Sequence, residues 1–208
     1  MSIITVSREF GSGGREVGKR LADALGYAYY DREIVAAIAA KTKLEEGYVA
    51  SALEGGMFRN IPIHFGRTFS YSAAVLGSTT NLFVEQHKIL KELAEKGDCV
   101  IVGRAADAIL AEYRPFNLFV YADMEAKLRR CRERATREES FTDKEMARRI
   151  KKIDNERARY HELFSDTPWG RKESYHLCVN TTDVSIKLLV PAVAEYIRNW
   201  QSAQKLPK

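Results

Sequence analysis

Ile3-Ile4-Thr5-Val6-Ser7-Arg8-Glu9-Phe10-Gly11-Ser12-Gly13-Gly14-Arg15-Glu16-Val17 is the stretch whose reading decides the fold. The run Ile3 to Val6 is short, β-branched and apolar, as a buried strand should be, and it feeds a turn rich in glycine. Beyond the turn, Val17, Leu21, Ala24 and Leu25 recur at i, i+4, i+7 and i+8, which predicts a helix with one apolar stripe. Gly26 stands where the C-cap of that helix belongs. A strand, a glycine turn and a helix in this order let backbone N–H groups converge on an anion, with the helix N-terminus adding partial positive charge. Gly11, Ser12, Gly13, Gly14, Arg15 and Glu16 are therefore the candidate phosphate-binding loop.

Working outward, Tyr27 to Tyr30 reads as a second strand, followed by a helix through Ile34, Val35 and Ile38 with Asp31 placed as its N-cap. From Gly55 to Thr80 the chain is rich in Gly, Ser, Thr and aromatics without a period. That marks an insertion or a substrate-covering segment, over about residues 40–81, rather than core. Leu82 to Lys96 is amphipathic and closes at Gly97; Cys99 to Val102, Leu118 to Tyr121 and Leu177 to Val179 are three more strands. Thr142 and Glu145 form a capping box that opens a long basic helix. A last helix from about Ser185 meets Pro191, which should kink or restart it. The expected fold is α/β, three layers around a five-stranded, mostly parallel sheet, with residues 1–208 forming one domain. Ligands of such sheets bind beyond the carboxyl ends of the strands, where the loop, Asp31 and Gly103-Arg104 all fall.

Composition narrows the class. The 208 residues carry 45% hydrophobic side chains and a net charge of +5. No apolar run approaches the roughly 20 residues of a membrane span, and the start lacks a signal-peptide pattern, so a cytoplasmic protein without a membrane partner is expected. Cys99, Cys131 and Cys178 are far apart and read as reduced thiols. The four histidines show no zinc spacing, so any metal should be magnesium brought in with phosphates. Lys and Arg crowd between Lys127 and Arg159, either as a solvated helical face or as a clamp for anions.

Gly13-x-x-x-x-Gly18-Lys19 matches the spacing of a Walker A loop, with Arg20 where Ser or Thr belongs. The match is misleading: a helix starting near Lys19 would have only about seven residues before Gly26, too short to cover a strand. A helix start at Gly14-Arg15 restores its length and keeps Val17 in the stripe. The phosphate lysine and magnesium hydroxyl are then absent, and Arg15 is the best stand-in, with Arg8 and Lys19 weaker and Ser12 or Ser7 able to offer an oxygen near magnesium. The rival dinucleotide fingerprint G-x-G-x-x-G finds Gly11 and Gly13, but Glu16 replaces the third glycine, where a carboxylate would repel a pyrophosphate.

The string S-R-E-F-G-S-G-G-R-E-V-G-K-R-L-A-D-A-L-G from Ser7 to Gly26, with Y-Y-D-R-E at Tyr29 to Glu33, resembles the cytidylate kinase-like family. The likeness continues in V-I-V-G-R-A-A-D at Val100 to Asp107, K-L-R-R-C-R-E-R at Lys127 to Arg134, D-N-E-R-A-R-Y at Asp154 to Tyr160, and the segment from Trp169 to Thr181. The resemblance implies a P-loop kinase fold with a helical lid over about residues 127–160 and an acceptor-site insertion. It also implies transfer of the ATP γ-phosphoryl, with Mg2+, to a nucleoside monophosphate such as CMP or dCMP. By the same likeness, Gly11 to Glu16 meet the ATP phosphates, Arg129 and Arg130 open the lid as catalytic arginines beside Arg15, and Asp31, Gly103, Arg104, Asp154 and Arg157 meet the acceptor. The acidic residues that flank the Gly-Arg pair in the family are Val102 and Ala105 here.

Plainer roles stand beside these. Arg104 as a surface residue would pair with Asp107 or Glu112, Asp154 and Arg157 as an i, i+3 ion pair, and Asp31 as an N-cap alone. A protein that senses nucleotide without catalysis would bind ATP without turnover, an NAD-dependent enzyme would change cofactor absorbance, and a nucleic-acid binder would lose affinity steeply with salt. No nucleic-acid partner is expected.

Overall fold

In the computed structural model, residues 2–53, 72–135 and 141–204 are described. Five strands form one sheet in the order β2-β3-β1-β4-β5, every neighbouring pair parallel. They are β1 (Ile3–Arg8), β2 (Ala28–Tyr30), β3 (Cys99–Val102), β4 (Phe116–Tyr121) and β5 (Leu177–Asn180). The connecting helices are α1 (Gly14–Leu25), α2 (Arg32–Thr42), α3 (Glu46–Leu53), α4 (Ser72–Glu95), α5 (Ala106–Ile109), α6 (Met124–Arg134), α7 (Asp143–Glu162) and α8 (Ile186–Gln204). Part of the expected insertion, residues 54–71, lies outside the described residues.

Alternation along the strands sends side chains to opposite faces. Ile4, Val6, Val100 and Val102 pack with Leu118 and Val120 under α1 and α8. Ile3, Cys99 and Ile101 pack on the other face under α2, α4 and α5. Both faces are covered, which is why these strands read as unbroken apolar runs. The chain leaves β1 for β2 on one side of the sheet and later reaches β4 on the other, so the strand order reverses at β1. Crevices at such reversals hold ligands.

Expectations for three helices are corrected, the first being that α4 already begins at Ser72, ahead of Leu82. The buried stripe of α1 is Val17, Gly18, Leu21 and Ala22, while Ala24 faces solvent. Gly18 turns the helix that way: a Cβ there would lie 2.8 Å from Val102, so only glycine lets α1 approach β3 this closely. Pro191 does not restart the last helix, which runs through it. Pro191 and Lys187, whose carbonyl loses its partner, both face solvent, so water can satisfy that carbonyl.

Candidate active site

The loop leaves β1 at Arg8 and turns twice through left-handed glycines, Gly11 at φ 78° and Gly13 at φ 80°. Gly13 is the N-cap of α1 and offers no side chain to it. The first-turn amides, of Gly14, Arg15 and Glu16, are thus left for a ligand, as an anion site requires. Helix α1 starts at Gly14, as its apolar stripe demands, and Lys19 of the Walker-like spacing pairs with Asp23 at 2.7 Å on the outer surface.

Buried polar contacts brace the loop from outside. The Ser12 hydroxyl donates to the Glu9 carbonyl at 2.8 Å, and the Thr181 hydroxyl donates to the Ser12 carbonyl at 2.7 Å. Glu9 accepts the Ala122 amide and pairs with Lys127 at 2.6 Å. Lys127 also approaches Asp154 at 3.4 Å, and Asp154 accepts the Phe10 amide at 2.6 Å. Arg157 donates to the Arg8 carbonyl at 3.0 Å. Burial pushes the Asp154 carboxyl up, against the opposing pull of the Phe10 amide and Lys127.

A cleft of about 680 Å³ opens above the loop, within the range of small-molecule sites. Arg8, Arg15, Arg32 and Arg104 reach it from the sheet side, and Arg130, Arg134, Arg149 and Arg157 from α6 and α7. Among the described residues Glu9 and Glu46 are the acidic ones in its lining, and Glu9 is neutralised by Lys127. Phe10, Val35, Met146 and Ile153 add apolar wall, with the Arg157 guanidinium over the Phe10 ring at 5.7 Å. Burial, then Arg157, holds the Arg8 guanidinium down at about 9 despite the opposing Asp31.

At the end of β3, Gly103, Arg104 and Ala105 are all left-handed, at φ 75°, 61° and 49°. Two of the three carry a Cβ, so the turn stores strain and needs outside support. The buried Gln86 supplies it, donating to the Arg104 carbonyl at 3.0 Å while accepting the Tyr160 hydroxyl at 2.6 Å. Arg104 is 8% exposed and is not a surface residue. Asp107 binds His161 at 2.9 Å instead, and Glu112 pairs with Lys91.

Of the residues singled out in the sequence, Arg8, Gly11, Gly13, Gly14, Arg15, Arg104, Arg130 and Arg157 meet at the cleft. Others do not. Arg129 turns to Asp183 at 3.2 Å, Glu16 bridges Arg20 and Arg134, and Asp154 serves the Phe10 amide and Lys127 and also forms the i, i+3 ion pair with Arg157, at 3.8 Å. Asp31 neither caps α2 with its side chain nor lines the cleft; it pairs with Arg15 at 2.6 Å. Ser12 is fully buried, its hydroxyl taken by Glu9. Arg134 and Arg149 belong to the basic run from Lys127 to Arg159 and line the cleft, whereas Arg32 and the Glu9–Lys127–Asp154 clasp went unread in the sequence, although Arg32 adjoins Asp31 at a helix start.

The Ser12 and Ser7 hydroxyls that the sequence offers to a magnesium ion are directed to the Glu9 carbonyl and to Asp107. Ser12 is turned away, Asp31 is engaged by Arg15 and Glu9 by Lys127. Among the described residues no group of three or more His, Cys, Asp or Glu converges to hold a metal, and no helix is long and apolar enough to cross a membrane. None of the three cysteines is in a disulfide.

The sequence matches the cytidylate kinase-like family over residues 3–183. No curated protein matches it. Among solved structures, an uncharacterized protein from Eubacterium ventriosum ATCC 27560 superposes with a TM-score of 0.66 at 24% identity, covering 95% of this chain and 99% of that one. Shikimate kinase from Bacteroides thetaiotaomicron gives 0.58 at 16% identity over 95% and 98% of the two chains. A gluconokinase from Sinorhizobium meliloti 1021 gives 0.53 at 15% over 99% and 98%. The shared feature is the fold, the three-layer arrangement of P-loop kinases.

Proposed function

The chain belongs to the cytidylate kinase-like family, and from that premise we propose that it moves the γ-phosphoryl of ATP to a nucleoside monophosphate, CMP or dCMP, in the cytoplasm. The observation that carries this reading is the cleft in which unfilled loop amides face arginines from both walls. Two phosphate-bearing substrates bring many negative charges together, and a site this cationic offsets their repulsion.

ATP phosphates lie on the loop from Gly11 to Arg15, and the acceptor phosphate lies near Arg104 and Arg157. An oxygen of the acceptor phosphate attacks the γ-phosphorus as the bond to the bridging oxygen of ATP breaks. That oxygen is already ionised at neutral pH, so alignment matters more than a general base. Arg15, fixed by Asp31, and Arg130, held on the Thr181 carbonyl, neutralise charge as the phosphoryl group passes. Magnesium enters with ATP as part of the substrate.

The missing lysine favours one other reading, a nucleotide sensor without catalysis. ADP release measured across the nucleoside monophosphates, with Arg15→Ala and Arg104→Ala beside the parent, separates the two. Turnover that peaks with cytidylates and collapses in both variants supports the kinase; ATP binding without turnover of any monophosphate overturns it.

A further inference from the structure

A second, smaller cavity shares Arg8, Arg104 and Arg157 with the cleft and is closed by Ser7, His161 and Trp169. Its volume is about 30 Å³, room for about two oxygen-sized atoms. Among the described residues of its lining none is acidic. Three guanidinium groups around so small a space repel one another, and the cost falls on Arg8, whose charged form is held down by burial and by Arg157.

His161 supplies the independent sign of a ligand. It is 3% exposed, and its Nδ1 has no hydrogen-bond partner, an expensive state for a buried nitrogen. Its Nε2 lies 2.9 Å from Asp107, whose carboxylate also faces the Ser7 hydroxyl at 3.4 Å. An ionised carboxylate only accepts, so Nε2 carries the hydrogen and Nδ1 is bare while the ring is neutral.

We propose that this cavity receives two oxygens of a phosphate monoester, gripped by Arg8, Arg104 and Arg157, with His161 Nδ1 sharing a proton with one of them. The rest of the ligand stays in the larger cleft. This assignment rests on the reading that the acceptor carries a phosphate, and it adds Arg8 and His161 to the acceptor site. A bare Nδ1 and a fully ionised phosphate are both acceptors, so one proton must accompany binding, on the ring or on the phosphate. The charged and titratable groups around the ring are Asp107 of α5, Arg8 of β1, Arg104 of the left-handed turn, Arg157 and Tyr160 of α7, and Tyr175, near Ser7 and Asp107. Affinity should therefore fall as pH rises above the second ionisation of the phosphate, at about 6, by up to about tenfold per unit.

The test uses the full chain labelled with 15N-histidine and titrated with inorganic phosphate, His161 being assigned by the peak lost in His161→Gln. Should that variant fail to fold, His64→Gln, His87→Gln and His176→Gln assign it by difference. The expected result is a saturable shift of the His161 ring nitrogens at pH 6.5, at least tenfold weaker at pH 8 and in Arg8→Met. Ring signals that stay put while phosphate is in large excess overturn the assignment and leave the cavity to water. The two readings fail separately: a responsive His161 without turnover of any monophosphate sinks only the kinase, and turnover with a silent His161 sinks only this site.

Discussion

Asp154 accepts the Phe10 amide at 2.6 Å, which fastens α7 to the phosphate loop. With Lys127 on Glu9 and Arg157 on the Arg8 carbonyl, both ends of the basic stretch are anchored beside that loop.

Removing that anchor should loosen the loop. Asp154→Ala leaves the Phe10 N–H and part of the Lys127 charge unsatisfied in a buried place, a cost of about 2 kcal/mol. Asp154→Asn keeps an oxygen for the amide and should cost less than half as much. Urea unfolding of the three proteins checks the order, and equal losses would mean that the hydrogen bond to Phe10 contributes nothing.

Gly103→Ala tests the strained turn from another direction. A Cβ at Gly103 would lie 1.8 Å from the Arg8 guanidinium, and its φ of 75° is itself unfavourable for alanine. Arg8 must then leave its place. Stability should fall by about 1–3 kcal/mol, and the thermal shift caused by phosphate should vanish; a variant that keeps the full shift would show that Arg8 does not contact the anion.

How far the sequence speaks depends on the range of the signal. Cys99 to Val102 betrays a covered parallel strand, and the Val17–Leu21 spacing locates the start of α1 against a tempting lysine motif, because both are local patterns. The Glu9–Lys127 pair and the His161–Asp107 contact join residues from distant parts of the chain, and no local period announces them. The left-handed Arg104 and Ala105 are equally silent, since neither is the glycine or asparagine that marks such a backbone. Arg32 and Arg149 look like ordinary surface charge until α2 and α7 aim them at one cleft.

Arg15 and Asp31 divide stability from turnover. Asp31 is 7% exposed at its side chain and Arg15 is 44% exposed, so Arg15→Ala strands a buried carboxylate as well as removing a cation from the cleft. The single variant should lose turnover by at least about 100-fold and also lose stability. Arg15→Ala combined with Asp31→Asn should recover most of the stability and none of the turnover. Activity returning with stability would mean that Arg15 only supports the fold.

Arg8 gives the pH prediction. Its folded value, about 9, lies below the ordinary guanidinium range, so the folded protein without ligand binds fewer protons here than the unfolded chain at alkaline pH. The sign follows: the stability tied to this shift is present above the ordinary range and is lost as pH falls through about 9, so at neutral pH the charged Arg8 works against the fold. Arg8→Met keeps the stem that packs near Gly14 and removes the charge, so it should raise the stability of the ligand-free protein by about 1 kcal/mol at pH 7. The gain should shrink as pH climbs past about 9 and should reverse at pH 7 in saturating phosphate, where the parent gains a ligand that the variant cannot hold. Thermal denaturation of both proteins from pH 7 to about 10, with and without phosphate, measures all three effects; a variant less stable than its parent at pH 7 without ligand would show that Arg8 has already found its counter-charge inside the protein.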